Sequence, residues 1–287
     1  MNIHVANSSK QTLGGGFIFI ENLKKGCQGK AKFVDGLASC DVVFICSVTQ
    51  VERSFVQEAK QLKKKIVLRI DNMPKDSRNR GTAFSRMKDF GQMADVIVFQ
   101  SEWAKQYVGQ WLFLNHGVDT NKSKVIYNGI DPEFFYFKDK PEDRGESYLF
   151  TTFNTDENKR FPEAAYDFHL RNWEARKNNK KIPTLKLVGN FGKDLPGYKF
   201  DFFNGEKYTY EPPISDRKLM GNLFRSSRYI YFPAFADASP NTVGEAMACG
   251  CEPLLVNPVG GTTEVVQLFK NQTHTIQDMA KQYLDLL

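Results

Sequence analysis

The chain has 287 residues, 41% hydrophobic, 25% charged and 13% aromatic, with a net charge of +6. That length holds one large domain or two modest ones, each able to bury a core, and the balance excludes disordered, collagen-like and small disulfide-stapled classes. Five cysteines (Cys27, Cys40, Cys46, Cys249, Cys251) without a CxxC pair, and scattered histidines without HExxH or a DxD pair, fit buried free thiols and offer no metal-binding pattern.

In chain order, residues 1–6 read as a strand running into a polar stretch and Gly14-Gly15-Gly16, and Phe17 to Lys25 as a short helix stopped by Gly26. The apolar run 42–46 is a strand. It precedes a helix over about 51–64, with Val51, Phe55, Val56, Ala59 and Leu62 at helical spacing. Ile66 to Ile70 is a strand, followed by a basic stretch read as an irregular loop. Val96 to Phe99 is the next strand, and Ser101 caps a helix carrying Trp103, Tyr107, Val108 and Trp111. Val125 to Tyr127 closes this half, and the charged, Pro-interrupted segment 131–147 reads as a linker.

The second half repeats the alternation: strand 148–153, helix 161–177, strand 185–188, helix about 215–226, strand 229–232, helix about 242–249 and strand 254–256. Ile276, Met279, Ala280, Tyr283, Leu284 and Leu287 then form one face of a closing amphipathic helix, about 275–287, that should pack on the body. Strands alternating with helices predict an α/β chain of two doubly wound, parallel-sheet domains, residues 1–138 and 139–287. Residues 1–138 carry 20 Lys/Arg against 13 Asp/Glu, and residues 139–287 carry 19 against 20. The whole positive excess is N-terminal, a field that attracts anions or simply aids solubility. No apolar run approaches the roughly 18 residues of a membrane span, and the opening residues lack a signal-peptide pattern, so a cytoplasmic protein is expected.

The stretch from Phe232 to Gly250 is the most informative. A strand enters a loop of small and polar residues, Ala236-Asp237-Ala238-Ser239-Pro240-Asn241-Thr242, and then a helix with Glu245 one turn in. Amides at such a helix start favour a diphosphate. Glu245 would accept hydrogen bonds from sugar hydroxyls beside it, or merely complement the helix dipole.

Asp237 and Glu245 enclose seven residues and are followed by Ala-Met-Ala-Cys-Gly, a strand, and Pro258-Val259-Gly260-Gly261-Thr262-Thr263-Glu264. This resembles the donor-site signature of retaining glycosyltransferases of family 4. Val125 to Asp131 resembles that family's interdomain junction, and Gly14-Gly15-Gly16 its first glycine loop. The resemblance spans residues 14–264 and implies a GT-B fold: two Rossmann-like domains with a cleft between them that closes for reaction. It implies metal-independent transfer of a sugar from a UDP- or GDP-linked donor, with no other cofactor.

Residue by residue, the resemblance makes Glu245 the ribose ligand and Asp237, where the family usually has Glu, the group nearest the transferred sugar. Gly15, Gly16, Ser239, Pro240, Asn241 and Thr242 would line the donor. Lys159 falls at the family's diphosphate lysine, whereas Asn154 stands where the family usually has arginine, so Arg160 is a candidate substitute. Asp71, in Arg69-Ile70-Asp71-Asn72, falls where the family often places a histidine, and becomes the candidate partner or base for the acceptor hydroxyl, or an ordinary turn cap. Tyr208-Thr209-Tyr210-Glu211-Pro212-Pro213 falls where the family frequently passes its nucleobase, which would make an aromatic wall there, although core packing is the better reading of these residues.

Lys75, Arg78, Arg80, Arg86 and Lys88 crowd one stretch with Asp76 as its only acid. Guanidinium groups favour phosphate, so Arg69, Arg78 and Arg80 are candidate contacts for an anionic acceptor: a phosphorylated sugar, a lipid-linked phosphate with peripheral membrane contact, or nucleic acid. A solvated basic face is the bland alternative. A nucleic-acid-modifying transferase and a nonenzymatic nucleotide-sugar binder remain competing readings.

Overall fold

A computed structural model describes residues 1–6, 15–71, 81–152, 157–191 and 207–287. Two compact units result. The first comprises Met1–Asp131, Asp237–Ser239 and His274–Leu287; the second comprises Pro132–Ala236 and Pro240–Thr273.

The first unit is built on a six-stranded parallel sheet: β1 (Asn2–Ala6), β2 (Lys32–Phe33), β3 (Val42–Ile45), β4 (Lys65–Ile70), β5 (Val96–Phe99) and β6 (Ser123–Val125), in the spatial order β2-β1-β3-β4-β5-β6. Its helices are α1 (Gly15–Gly26), α2 (Arg53–Gln61), α3 (Gly81–Met93) and α4 (Glu102–Val108). The run Val42-Val43-Phe44-Ile45 is buried throughout because both faces of the sheet are covered. Val43 and Ile45 face one core with Val56, Met87, Phe90 and Phe113, while Val42 and Phe44 face another with Phe19, Leu23, Met279 and Tyr283.

The sequence reading passed over α3. Ala83, Met87 and Phe90 are its buried stripe, but Arg86 and Lys88 interleave with them and the period was hidden in what read as a basic loop. Ser101 caps α4 as expected, its hydroxyl accepting from the Ala104 amide at 3.1 Å. The helix then widens into a π-helical turn, Gly109–Phe113. Of the aromatic positions expected to pack, Trp111 is 72% exposed and Tyr107 stacks on Trp103 at 5.2 Å.

The last helix, α9 (Ile276–Leu284; α5 to α8 follow below), belongs to this unit and packs on α1. Its start is fixed by a capping box between Thr275 and Asp278, and Ile276, Met279, Ala280 and Tyr283 are all buried, as the periodicity predicts. Two glycines admit it. A methyl added at Gly129 would overlap the Thr275 carbonyl and lie 2.7 Å from the Ile276 Cα, and one at Gly26 would lie 2.7 Å from the Ala280 Cβ. Overpacking of this kind costs about 1–3 kcal/mol. Gly129→Ala is therefore expected to lower the unfolding free energy by that amount, read as a lower urea midpoint; an unchanged midpoint would mean that α9 docks less closely.

The second unit carries a five-stranded parallel sheet: β7 (Ser147–Thr152), β8 (Thr184–Gly189), β9 (Lys207–Glu211), β10 (Tyr229–Tyr231) and β11 (Glu252–Leu254), in the order β11-β10-β7-β8-β9. Its helices are α5 (Phe161–Lys177), α6 (Arg217–Arg225), α7 (Asn241–Ala248) and α8 (Thr262–Asn271). The core is aromatic. Tyr148 stacks on Tyr231 at 5.5 Å and meets Phe168 edge-on, and Phe150, Phe161 and Phe191 close the far end. Buried tyrosines need partners for their hydroxyls: Tyr231 donates to Asp167 and Tyr148 to Glu146, each at 2.7 Å.

No described helix is long and apolar enough to cross a membrane. All five cysteines are buried free thiols.

Candidate functional site

Ligands of open parallel sheets lie beyond the carboxyl ends of the strands, where the strand order reverses. In the second unit that reversal is between β7 and β10. The segment after β7 leads to a short 3-10 turn, Glu157–Lys159, and the segment after β10 is Phe232–Pro240, leading into α7. Lys159 and the start of α7 thus both follow the strands that flank the switch point.

Two backbone hydrogen bonds hold these loops together. The Phe235 amide donates to the Asn158 carbonyl and the Ala236 amide to the Val259 carbonyl, both at 2.9 Å, the latter tying in the loop after β11. Ala236 takes a left-handed conformation, φ 50°, to make that turn. The Lys159 ammonium sits 5.3 Å from the centre of the Phe232 ring. Arg160, the candidate substitute cation, is also left-handed, φ 51°, and its guanidinium is bonded to Glu163 at 2.7 Å. Asn154 lies outside the described residues.

Pro240 precedes α7 and supplies no side-chain cap. Asn241 and Thr242, half-buried, open the first turn. Amides at a helix start point outward along its axis, the direction from which an anion is bound. One turn on, Glu245 is 9% exposed, with a carboxylate oxygen 4.0 Å from Arg217. The Arg217 guanidinium lies 4.9 Å and 5.3 Å from the ring centres of Phe134 and Phe135.

Sequence reasoning missed Arg217. One signal was there: Asp216 caps α6, which makes Arg217 its first residue, and a cation at the positive end of a helix dipole breaks a local rule. Such a placement calls for a compensating carboxylate, and Glu245 is one. Tyr210, from the expected nucleobase wall, is 50% exposed, packs edge-on against Phe191 and donates its hydroxyl hydrogen to the Gly189 carbonyl.

The first unit reverses strand order between β1 and β3. Gly15, exposed, and Gly16, half-buried, begin α1, and the Cys46 thiol just after β3 donates to the Gly16 carbonyl at 3.5 Å. Burial pushes that thiol up to about 12, with the Arg69 charge pulling it down and Asp71 pushing it further up. Asp71 is half-buried directly after β4. Arg69 is interior, 2% exposed, its guanidinium 3.8 Å from the centre of the Phe19 ring. Arg78, Arg80, Asn72 and Gly14 lie outside the described residues. The chain also returns Asp237–Ser239 to this unit, with Ala238 packed in its core and Ser239 7% exposed.

No protein-family model matches the chain, and no curated protein matches it in sequence. Solved structures do match in fold. HepE of Anabaena in complex with UDP is 14% identical, with a TM-score of 0.68 over 99% of this chain and 95% of its own. Sucrose-phosphate synthase of Thermosynechococcus elongatus is 12% identical, with a TM-score of 0.64 over 100% and 94%. The fold is GT-B. The UDP-GlcNAc 2-epimerase of Methanocaldococcus jannaschii also matches, at 11% identity and a TM-score of 0.56 over 100% and 99%. The GT-B fold therefore hosts more than one reaction on nucleotide sugars, and the residues of the site must carry the choice. Among the described residues of this GT-B chain, no group of three or more His, Cys, Asp or Glu could hold a metal ion.

Proposed function

We propose that this protein is a glycosyltransferase that moves a sugar from a nucleotide-diphosphate sugar to a hydroxyl acceptor. The observation that carries this reading is the arrangement at the switch point of the second unit. A lysine, a helix start without a side-chain cap and a buried carboxylate follow from loops tied together by backbone bonds. The UDP held by the HepE neighbour is the ligand class that such a set would take.

In this reading Lys159 and the first amides of α7, from Asn241 and Thr242, neutralise the diphosphate, and Glu245 accepts from the ribose hydroxyls. As the bond from the anomeric carbon to the diphosphate breaks, negative charge gathers on the leaving group, and fixed cations and amides stabilise it. The acceptor oxygen bonds to the anomeric carbon. Its proton passes to Asp71, and Asp237 orients the sugar. Retention of configuration, assignment to family 4 and a UDP rather than GDP donor belong to the same proposal, as does metal independence.

An anionic acceptor is favoured by charge. The first unit carries 20 Lys/Arg against 15 Asp/Glu. Five buried thiols suit a reducing cytoplasm.

A thermal-shift panel of UDP- and GDP-sugars tests the donor assignment. At a hundredfold excess over its Kd the true donor adds about 2.7 kcal/mol to the folded state and raises Tm by several degrees. No shift with any nucleotide sugar would overturn the proposal.

A further inference from the structure

Arg69 sits where its burial is costly. A guanidinium stays charged, and taking it out of water is expensive unless its surroundings compensate. Two neutral amides supply hydrogen bonds here. Its Nη2 donates to Gln100 Oε1 at 2.6 Å and to Asn128 Oδ1 at 3.1 Å, and its plane covers Phe19. Gln100 and Asn128 are themselves buried, 4% and 8% exposed.

The two amides pass the connection outward. Gln100 Nε2 donates to the Ile70 carbonyl at 2.8 Å, the peptide that joins Ile70 to Asp71. Asn128 Nδ2 donates to Gln100 Oε1 at 2.9 Å and to the Ser239 carbonyl at 3.2 Å. A polar plug serving only the core would close its hydrogen bonds within the sheet. This one ends in one direction on the last carbonyl of β4, at the peptide leading to Asp71, and in the other leaves the sheet for the Ser239 carbonyl, in the segment that holds Asp237.

We propose that Arg69, Gln100 and Asn128 form a buried positioning cluster that fixes the Asp71 peptide and the Asp237–Ser239 segment in the first unit. Gln100 is the hub: its oxygen gathers the other two side chains, and its nitrogen holds the strand end. The roles of Asp71 and Asp237 rest on the proposed glycosyl transfer; the fixing of their backbone does not. A carboxylate displaced by about 1 Å can cost on the order of a hundredfold in rate, so such a cluster acts on kcat.

Hydrogen exchange by mass spectrometry on the full chain, paired with kinetics, tests this. Gln100→Leu removes the hub and is expected to raise exchange about tenfold both around Asp71 and over 237–240, with β3 and β5 unchanged. Gln100→Glu keeps an acceptor for Arg69 and Asn128 but cannot donate to Ile70, so only the Asp71 region should loosen. Asn128→Ala should loosen only 237–240. In both single-arm variants kcat is expected to fall roughly 10- to 100-fold with donor KM within about twofold.

If Gln100→Leu unfolds the unit, the two single-arm variants still decide. Exchange at both segments unchanged in those variants, or donor KM rising in step with the loss of kcat, would overturn the proposal. If the wild-type protein turns over no nucleotide sugar, the glycosyl-transfer reading fails, and the exchange pattern alone decides the cluster.

Discussion

Lys159→Ala is expected to lower kcat about 100- to 1000-fold, the loss seen when one preorganised donor is removed from a developing negative charge. Lys159 ends the turn whose Asn158 carbonyl holds the loop after β10, so the ammonium is carried on a backbone that is itself tied down. Its charge is presented against the face of Phe232. Lys159→Arg keeps the charge but replaces a compact ammonium with a planar fork, and is expected to recover all but about tenfold of the rate. Steady-state kinetics with the donor found by thermal shift measures both. A rate for Lys159→Ala within about threefold of wild type would remove Lys159 from the leaving-group site.

Glu245→Ala is expected to weaken donor binding roughly 30- to 150-fold, or about 2–3 kcal/mol, the value of hydrogen bonds to a charged acceptor. Calorimetric titration with the nucleoside diphosphate reads this without turnover. Glu245→Gln separates two contributions: the amide still accepts from a ribose hydroxyl but no longer balances Arg217. The Arg217 to Glu245 separation of 4.0 Å is long for an ion pair, but both side chains are largely buried, 16% and 12% exposed, so removing the carboxylate takes away a counter-charge of a buried guanidinium and is expected to cost stability as well. A Glu245→Ala protein that binds the diphosphate like wild type would contradict the ribose role.

Much of the fold was legible because the strands are buried on both faces and the helices on one. The helix over 161–177 lies where the spacing puts it, and the buried stripe of α9 is the one the periodicity picked out. What the sequence hides is partnership. Nothing in the period of α9 says that it returns to the first unit, and nothing in Gly129 alone says that a helix start presses on it. Elements were missed where another signal covered the apolar period: α3 beneath its basic residues, α8 within a motif read for its chemistry, β2 because two residues carry no period, and the edge strand β9.

Spacing alone put Lys159 after β7 and Glu245 one turn into α7, and in the second unit both follow the strands that flank the switch point. Arg69 shows why charge alone misleads. It was read as an acceptor contact, yet Leu68 and Ile70 face one core while Val67 faces the other. The strand's two-residue period places Arg69 with Val67, under α1, in the interior. Arg217 escaped because its partner, Glu245, lies in a different helix.

The central claim is transfer of a sugar from a nucleotide-diphosphate donor. Proton NMR of the wild-type protein with its shifting donor and a panel of phosphorylated and neutral acceptors tests it most directly. The account predicts release of the nucleoside diphosphate with the growth of a new anomeric signal from a glycoside that keeps the donor's configuration. A donor that stays intact beside every acceptor, or that yields a sugar epimer and no glycoside, would contradict it.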